Sequence, residues 1–535
     1  MRLPDWLAHR AATAGERLAI IAGDVRWTFQ ELDRRAASLA RRMVGLGVRP
    51  GDRVALLLPN GPEFVELAHG VGRAGGILVP LNTRLAPPEL AWQLGHAAPR
   101  AFVYAPQTEP AARAALARWA QEGQTGGEAA SSEVAVLSTE ELASAPEAAD
   151  ASLRPFVELE AVHSILYTSG TTGRPKGALL TYGNYWWSAV GSALNLGLCA
   201  GDRWLANLPL FHVGGLSILV RGVIYGMTAV VHPRFDPQAA NRAIDEEGVT
   251  LLSVVATTLA RMLDARGERP YPPSLRAVLV GGGPVPVALL ERAARLGMPV
   301  VQTYGLTEAA SQVTTLPPGQ ALRKLGSAGR PLLPTEVRIE RDGRPAGPGE
   351  VGEILVRGPT VSPGYFREAP VAAAGRDGAG QDAASLSARR DGGWLRTGDL
   401  GYLDEEGYLY VVDRRDDLIV SGGENVYPAE VEAALLAHPA IQEAGVVGIP
   451  HPEWGQVPVA AVRLRAGWGL TAEELLAHCA GRLARYKVPK EVRIVQAPLP
   501  RNAAGKLLRS RLREQWLEAG AGGGGRGQEV SPGEP

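Results

Sequence analysis

Two cysteines in 535 residues, Cys199 and Cys479, are too few for a disulfide framework or a Cys-rich zinc site. Cys479 falls four residues after Leu475 in an amphipathic stretch and reads as a small buried apolar residue. Neither sign of charge dominates. With 55 basic and 56 acidic side chains the net charge is −1, which removes any general case for nucleic acid or an anionic membrane as partner. No long apolar run is uninterrupted: the richest, Gly214 to Val231, holds four glycines and Arg221, and reads as buried protein, so no membrane span is expected. The first nine residues have no apolar region of the signal-peptide kind, and a reducing cytoplasm is the expected compartment. Lysine is scarce as well. Only Lys176, Lys324, Lys487, Lys490 and Lys506 occur, so arginine carries nearly all the positive charge. Composition bias explains the scarcity but not where the survivors sit, and a compact ammonium does things a planar guanidinium does not.

At ~150 residues per domain the length allows three or four structural units, and 45% hydrophobic residues exclude disorder for most of the chain. Thr28-Phe-Gln-Glu31 has the form of a capping box, and Leu32, Ala36, Leu39, Ala40 and Met43 then fall on one helical face, with Gly45 or Gly47 to end it. Arg53 to Leu58 and Leu275 to Val280 read as buried strands running into glycine turns. This alternation predicts helix-covered, mostly parallel sheets. Residues 106–152 read as a surface helix plus loops, and residues 325–412 as a small β unit of short strands between Gly and Pro. The Ala-, Gly- and Asp-rich stretch 369–390 reads as a mobile loop. Asp413-Arg-Arg-Asp-Asp417 marks a boundary, beyond which the capping box Thr471 to Glu474 opens a helix carrying Leu475, Leu476, Cys479 and Leu483.

Tyr167-Thr-Ser-Gly-Thr-Thr-Gly-Arg-Pro-Lys-Gly177 is the most informative segment. Glycines let backbone N–H groups approach an anion, hydroxyls add donors, and Lys176 adds a movable charge, so the loop is built to handle phosphate. It is not a Walker A loop, because Lys176 is followed by Gly177 rather than Ser or Thr. A polar surface turn is the plainer alternative, but a turn needs one or two glycines and not this density of donors. Six further segments follow in order: Gly281-Gly-Gly-Pro284, Gln302-Thr-Tyr-Gly-Leu-Thr-Glu308, Trp394-Leu-Arg-Thr-Gly-Asp399, the charge cluster 413–417, Ser421-Gly-Gly-Glu-Asn425 and Pro500-Arg-Asn-Ala-Ala-Gly-Lys506. Together they resemble the adenylate-forming superfamily of acyl-CoA synthetases, luciferases and peptide-synthetase adenylation domains.

The resemblance implies a two-step reaction in which a carboxylate attacks the α-phosphate of ATP, releasing pyrophosphate, and a thiol then displaces AMP. It implies ATP, Mg²⁺ and CoA. Negative charge collecting at phosphorus calls for donors and cations. By the resemblance, Thr168, Ser169, Gly170, Thr171, Thr172, Gly173 and Lys176 hold the β- and γ-phosphates, and Glu308 binds Mg²⁺. Gly281, Gly282 and Gly283 edge the adenine under Tyr304, with Gln302, Gly305 and Thr307 in the same nucleotide site. Asp399 accepts from the ribose hydroxyls and Arg414 donates to ribose or phosphate. Lys506, on a flexible Gly-preceded turn, bridges carboxylate and α-phosphate; with Thr168 and Glu308 it is the expected catalytic set. Asp416 is the hinge, and Gly422 and Gly423 line the thiol's approach.

The architecture expected is α/β: a large N-terminal domain, 1–412, of two helix-covered sheets plus a small β-barrel-like unit, a mobile C-terminal α/β domain, 413–513, and a disordered tail, 514–535. Ser192 to Gly197, Leu208 to Ser217, Val223 to Thr228, Lys324 to Gly329 and Ser421 to Glu432 narrow the resemblance to CoA ligases of an aryl keto acid with two carboxylates. His212, Ser217, Thr257 and Gly282 are then pocket residues, although a histidine after Pro-Leu-Phe is also what a satisfied core histidine looks like. A ligase for another aryl or fatty acid, a carrier-loading adenylation enzyme and a nucleotide-binding protein without catalysis stay open, as does a homodimer.

Overall fold

The chain's computed structural model describes all residues except 86, 126–133, 169–174, 283–284, 368–389, 415–418, 422–423, 427, 452–453, 481, 484, 503–504 and 522–535. The capping box at Thr28 is reciprocal: the Glu31 N–H donates to Thr28 Oγ1 (3.2 Å) and the Thr28 N–H to Glu31 Oε2 (2.8 Å). The helix it opens, Phe29–Gly45, buries Leu32, Ala36, Leu39, Ala40 and Met43, and the chain then turns through Gly47 at φ 86°. Chain contacts divide the molecule into Met1–Thr397 with Gly401–Val411, and Gly398–Leu400 with Val412–Pro535.

The first unit holds two large sheets. One orders its strands Lys176–Thr181, Val162–Thr168, Ile77–Pro80, Arg53–Leu57, Ala101–Tyr104 and Ala135–Ser138, parallel except for the first pair. The other, nine-stranded, has a parallel run Val300–Tyr304, Ala277–Gly281, Leu251–Val255, Arg203–Ala206, Thr228–Val231 and Leu18–Ala22. Strand residues such as Val54, Leu56, Leu252 and Val278 are wholly buried, as expected where helices cover both faces. A third sheet of Glu336–Arg341, Gly352–Arg357, Trp394–Leu403 and shorter strands accounts for the expected β unit, although Arg330–Pro331 joins the nine-stranded sheet instead.

Two expectations need correction. The segment 106–152 is more than surface: Ala135–Ser138 is an edge strand of the first sheet, and the helix Glu109–Thr125 buries Ala112, Ala115 and Trp119. Its alanines had masked the apolar face, because small side chains carry a weak periodic signal yet permit close packing. The expected disordered tail from 514 is helical as far as Ala521, in Arg509–Ala521, because Leu512 and Trp516, four residues apart, bury against the second unit's sheet and Arg493 stacks on Trp516 at 3.9 Å. The run Gly214 to Val231 is a buried helix, Val213–Tyr225, capped by left-handed Gly226, followed by a strand. Among the described residues no helix is long and apolar enough to cross a membrane.

The second unit pairs Ile441–His451 with Gly455–Leu464, flanked by Ile419–Ser421, Glu424–Val426 and Val492–Ile494. Its helix Ala472–Ala480 starts at the second capping box, with Glu474 N–H on Thr471 Oγ1 (3.2 Å), and buries Leu475 and Cys479, whose thiol burial pushes up to about 11. The mobile loop expected at 369–390 lies, but for its last residue, outside the described residues.

Burial holds His69 down to about 4 and His163 to about 3, from 6.5. Between those values the unfolded chain binds protons that the folded chain refuses, so stability falls as pH drops from about 6.5 towards 4. Urea unfolding across that window should show the fall, with a shallower slope in His163→Gln. Parallel slopes for the two proteins would contradict the assignment.

Candidate functional site

Arg203–Ala206, Leu251–Val255, Ala277–Gly281 and Val300–Tyr304 are neighbours in one parallel run, so their C-terminal ends face the same edge of the sheet. The segments leaving these ends carry, in turn, His212 and Ser217, then Thr257, then Gly281 and Gly282, then Tyr304, Gly305, Thr307 and Glu308. Sequence places them up to about a hundred residues apart; topology brings them to one edge. Gly282 needs to be glycine, with φ 79° and Val255 Cγ1 only 3.3 Å from where a Cβ would stand. Gly305 is more constrained still, since a Cβ there would lie 1.4 Å from the Ser311 carbonyl oxygen. That crowding comes from the turn Thr307–Ala309 and the left-handed Ala310 and Ser311, which fold the chain back and present Glu308.

The candidate phosphate loop joins two antiparallel strands, Val162–Thr168 and Lys176–Thr181. Thr168 and Lys176 are direct cross-strand partners, and residues 169–174 between them, including Ser169, Gly170, Thr171, Thr172 and Gly173, lie outside the described residues. Tyr167, at the start of the loop, is fixed by a hydrogen bond between its hydroxyl and His96 Nδ1 at 2.8 Å, and His96 stacks on Trp92. Burial pushes the Tyr167 phenol up, leaving it a neutral hydrogen-bonding group at physiological pH. On the other side, Tyr365 donates to Glu308 Oε1 at 2.6 Å, while Lys176 Nζ lies 5.2 Å from the centre of the Tyr365 ring. Lys176 and Glu308 are therefore joined through one aromatic residue.

The residues expected on the acid side divide. His212 is largely buried, and burial with Arg84 nearby holds it down to about 4, so it is a neutral imidazole at pH 7, with Nε2 unpartnered among the described residues. Ser217 is buried, and among the described residues its hydroxyl makes only a long bond, 3.4 Å, to the Gly214 carbonyl. Thr257 is exposed in the first turn of the helix Ala256–Arg266. Gln302 is buried and donates one amide N–H to the Ser327 carbonyl (2.7 Å), while its Oε1 is unpartnered among the described residues.

Asp399 is 7% exposed on the strand Trp394–Leu403, after Gly398 at φ 75°. The residues before it are pinned: Arg396 binds Glu353 (2.7 Å) and Glu340, and Thr397 Oγ1 donates to the Ile354 carbonyl (2.8 Å). In the second unit the Lys506 turn is less loose than its glycine suggested. Asn502 Oδ1 accepts from the Lys506 N–H (2.9 Å), Asn502 N–H donates to Lys506 O (2.8 Å), and Arg501 ties the turn to Glu443 (3.2 Å). Arg414 ends the strand Leu409–Arg414. Gly283, Asp416, Gly422 and Gly423 lie outside the described residues.

Sequence reading passed over Tyr365 and Arg221. In the sequence, Arg221 stands out only as the charge that interrupts the apolar run Gly214 to Val231. It is 3% exposed, four residues beyond Ser217 on the same helix, and its Nη2 donates to Ser188 Oγ at 3.0 Å while Nε is unpartnered among the described residues. Tyr365 had no comparable mark. In the ATP–pyrophosphate exchange that the sequence resemblance implies, Gly305→Ala should cause a loss of about 10²-fold, because a Cβ there forces an ångström-scale shift of the turn that carries Glu308. Gly469→Ala, where an added methyl meets open space, is the matched control and should leave exchange unchanged.

Residues 7–366 match the AMP-binding enzyme family and residues 430–506 its AMP-binding enzyme C-terminal domain. The chain is 49% identical over 511 residues to the 2-succinylbenzoate–CoA ligase of Geobacillus kaustophilus, covering 96% of this chain and 97% of that one. It superposes with a TM-score of 0.85, at 42% identity, on o-succinylbenzoate CoA synthetase (MenE) from Bacillus subtilis in complex with the acyl-adenylate intermediate OSB-AMP, over 96% of this chain and 98% of that one. The same Bacillus subtilis enzyme in complex with ATP and magnesium ion matches with TM-score 0.85 and 42% identity, over 96% and 100%.

Proposed function

The chain belongs to the AMP-binding enzyme family, and from that membership we propose that it activates 2-succinylbenzoate with ATP and joins it to CoA in menaquinone (vitamin K2) biosynthesis. It is an AMP-forming acid–thiol ligase. The observation that carries this reading is similarity to ligases of that acid along nearly the whole chain, with Thr257, Gly281, Gly282 and Tyr304 to Glu308 leaving one sheet edge. In the first step a carboxylate oxygen of the acid bonds to the α-phosphorus as the bond to pyrophosphate breaks. In the second the CoA sulfur bonds to the acyl carbon, the thiol proton is lost, and the bond to AMP breaks.

Each residue's part in this is our reading. The loop from Thr168 to Lys176 wraps the β- and γ-phosphates with backbone and hydroxyl donors, and Lys176 neutralises them. Tyr304 and the Gly281–Gly283 edge receive the adenine, with Gln302, Gly305 and Thr307 shaping the same wall. Asp399 accepts from the ribose hydroxyls and Arg414 donates beside it. Among the described residues no cluster of three His, Cys, Asp or Glu could cage a metal, whereas Glu308 offers one oriented carboxylate. A single carboxylate fits Mg²⁺, which keeps its waters and arrives with the phosphates. When bound, it supplies charge neutralisation to the phosphates. Lys506 stabilises the pentacoordinate α-phosphate and orients the acid. Asp416 is the hinge at which the second unit reorients, and Gly422 and Gly423 line the CoA approach.

Arg221 supports an acid with a spare anionic group. A buried guanidinium held by a serine hydroxyl, without a carboxylate partner among the described residues, gains an ion pair from a second carboxylate and nothing from a fatty chain. His212, the N-cap residue of the same helix, and Ser217 on it, with Thr257 and Gly282, complete the acid site in this reading. The reading also places the enzyme in the cytoplasm and allows a homodimer, which sedimentation would test.

A panel of carboxylic acids assayed for CoA-dependent AMP release tests the substrate. Signal from 2-succinylbenzoate is expected; its absence, with turnover of a fatty or simple aryl acid, would overturn the choice of acid while leaving the ligase. Arg221→Lys should raise KM for the acid well above tenfold and leave KM for ATP alone. Lys506→Ala should lower adenylate formation by at least ~10²-fold, the scale of losing one transition-state donor, while thioester formation from supplied adenylate survives. Equal loss in both half-reactions would defeat that division of labour.

A further inference from the structure

Lys176–Thr181 uses one edge for Val162–Thr168 and the other for the segment 362–366. Leu179 N–H donates to the Gly364 carbonyl (3.0 Å) and Phe366 N–H to the Gly177 carbonyl (2.8 Å), with Ala178 and Tyr365 bridged antiparallel between them. Ser362 Oγ adds a bond to the Leu179 carbonyl at 2.6 Å. The same short segment grips the Glu308 turn twice. The Ser362 N–H donates to the Glu308 carbonyl (2.8 Å), and the Tyr365 hydroxyl donates to Glu308 Oε1 (2.6 Å). Lys176 Nζ lies against the ring of that tyrosine, which is 8% exposed.

The geometry points to Tyr365 as a positioning residue for adenylation, registering the Glu308 carboxylate against the ammonium of Lys176. The inference rests on the reading of Glu308 as the Mg²⁺ ligand. A glutamate side chain samples several rotamers; a charge-assisted hydrogen bond to one oxygen selects one of them and leaves Oε2, and a lone pair on Oε1, for a cation. The aromatic face gives Lys176 a second restraint that does not consume any of its three N–H donors. Ring and hydroxyl thus do separate jobs. Phenylalanine would satisfy the packing and the lysine but would release the carboxylate.

The full-length protein with ATP bound is titrated with Mn²⁺, free ion being read by electron paramagnetic resonance, alongside the free Mg²⁺ needed for half-maximal pyrophosphate release. Tyr365→Phe should weaken Mn²⁺ about tenfold, the lower end for losing a group that orients a metal ligand, and raise the Mg²⁺ requirement in parallel, with KM for the acid and the melting temperature unchanged. Tyr365→Leu should do the same and also raise KM for ATP, because Lys176 loses its aromatic face. Wild-type Mn²⁺ affinity in Tyr365→Phe, or a loss of stability with no change in Mn²⁺, overturns the proposal. Glu308→Gln separates the two readings. If it weakens Mn²⁺ while Tyr365→Phe does not, the positioning role alone fails; if it too leaves Mn²⁺ unchanged, the assignment of Glu308 fails and takes the inference with it.

Discussion

Parallel pairing of Arg203–Ala206, Leu251–Val255, Ala277–Gly281 and Val300–Tyr304 obliges each connection to return along a helix before the next strand begins, so every segment leaving a strand emerges at the same sheet edge. The candidate acid-side residues and the candidate nucleotide residues of this sheet owe their proximity to that rule alone. The cores supply the rigidity: Leu205, Leu252, Val278 and Val301 are fully buried, so a strand end cannot drift without opening a packed interior. Glycine is retained where backbones cross too closely for a side chain, most severely at Gly305.

The other sheet contributes through its antiparallel edge. The hairpin that opens and closes the candidate phosphate loop is the point at which the segment 362–366 attaches, and that segment in turn holds the Glu308 turn. These hydrogen bonds add to an apolar core that the two sheets share, with Val54 and Leu56 of one and Ala206 and Ala229 of the other in the same buried cluster. The scarce lysines divide along similar lines. Lys176 stands on the loop's closing strand, whereas Lys324 is a strut: its ammonium meets both Asp404 (2.9 Å) and Glu406 and lies over the ring of Tyr408 (4.4 Å). A small charge with three rotating donors suits two carboxylates approaching from different directions; a planar fork suits one carboxylate seen face on, as Arg266 sees Asp245 through two bonds of 2.6 and 2.9 Å.

Local physics made much of this legible in advance. Capping boxes at Thr28 and Thr471 announce helices because the partners are three residues apart and need nothing from the rest of the chain. Buried strands with glycine ends show in the same way. The segment 106–152 and the helix Arg509–Ala521 did not, since alanine-rich or charge-rich helices declare their apolar face only weakly, and it takes a neighbouring element to reveal which residues are covered. The turn at Lys506 looked loose because Gly505 is visible in the sequence, while Arg501's bond to Glu443, 58 residues away, is not.

Residue order alone determined the α/β class and the succession of segments that marks the family, since each depends on neighbours within about ten positions. Tertiary structure decided which of those segments meet. It joined Lys176 to Glu308 through Tyr365, left Arg221 buried on a serine without a carboxylate beside it among the described residues, and gave Lys324 its two acids. Such pairings join residues tens to nearly two hundred positions apart, and a hydrogen bond acts over about 3 Å; only the folded path of the chain sets which groups come within that reach.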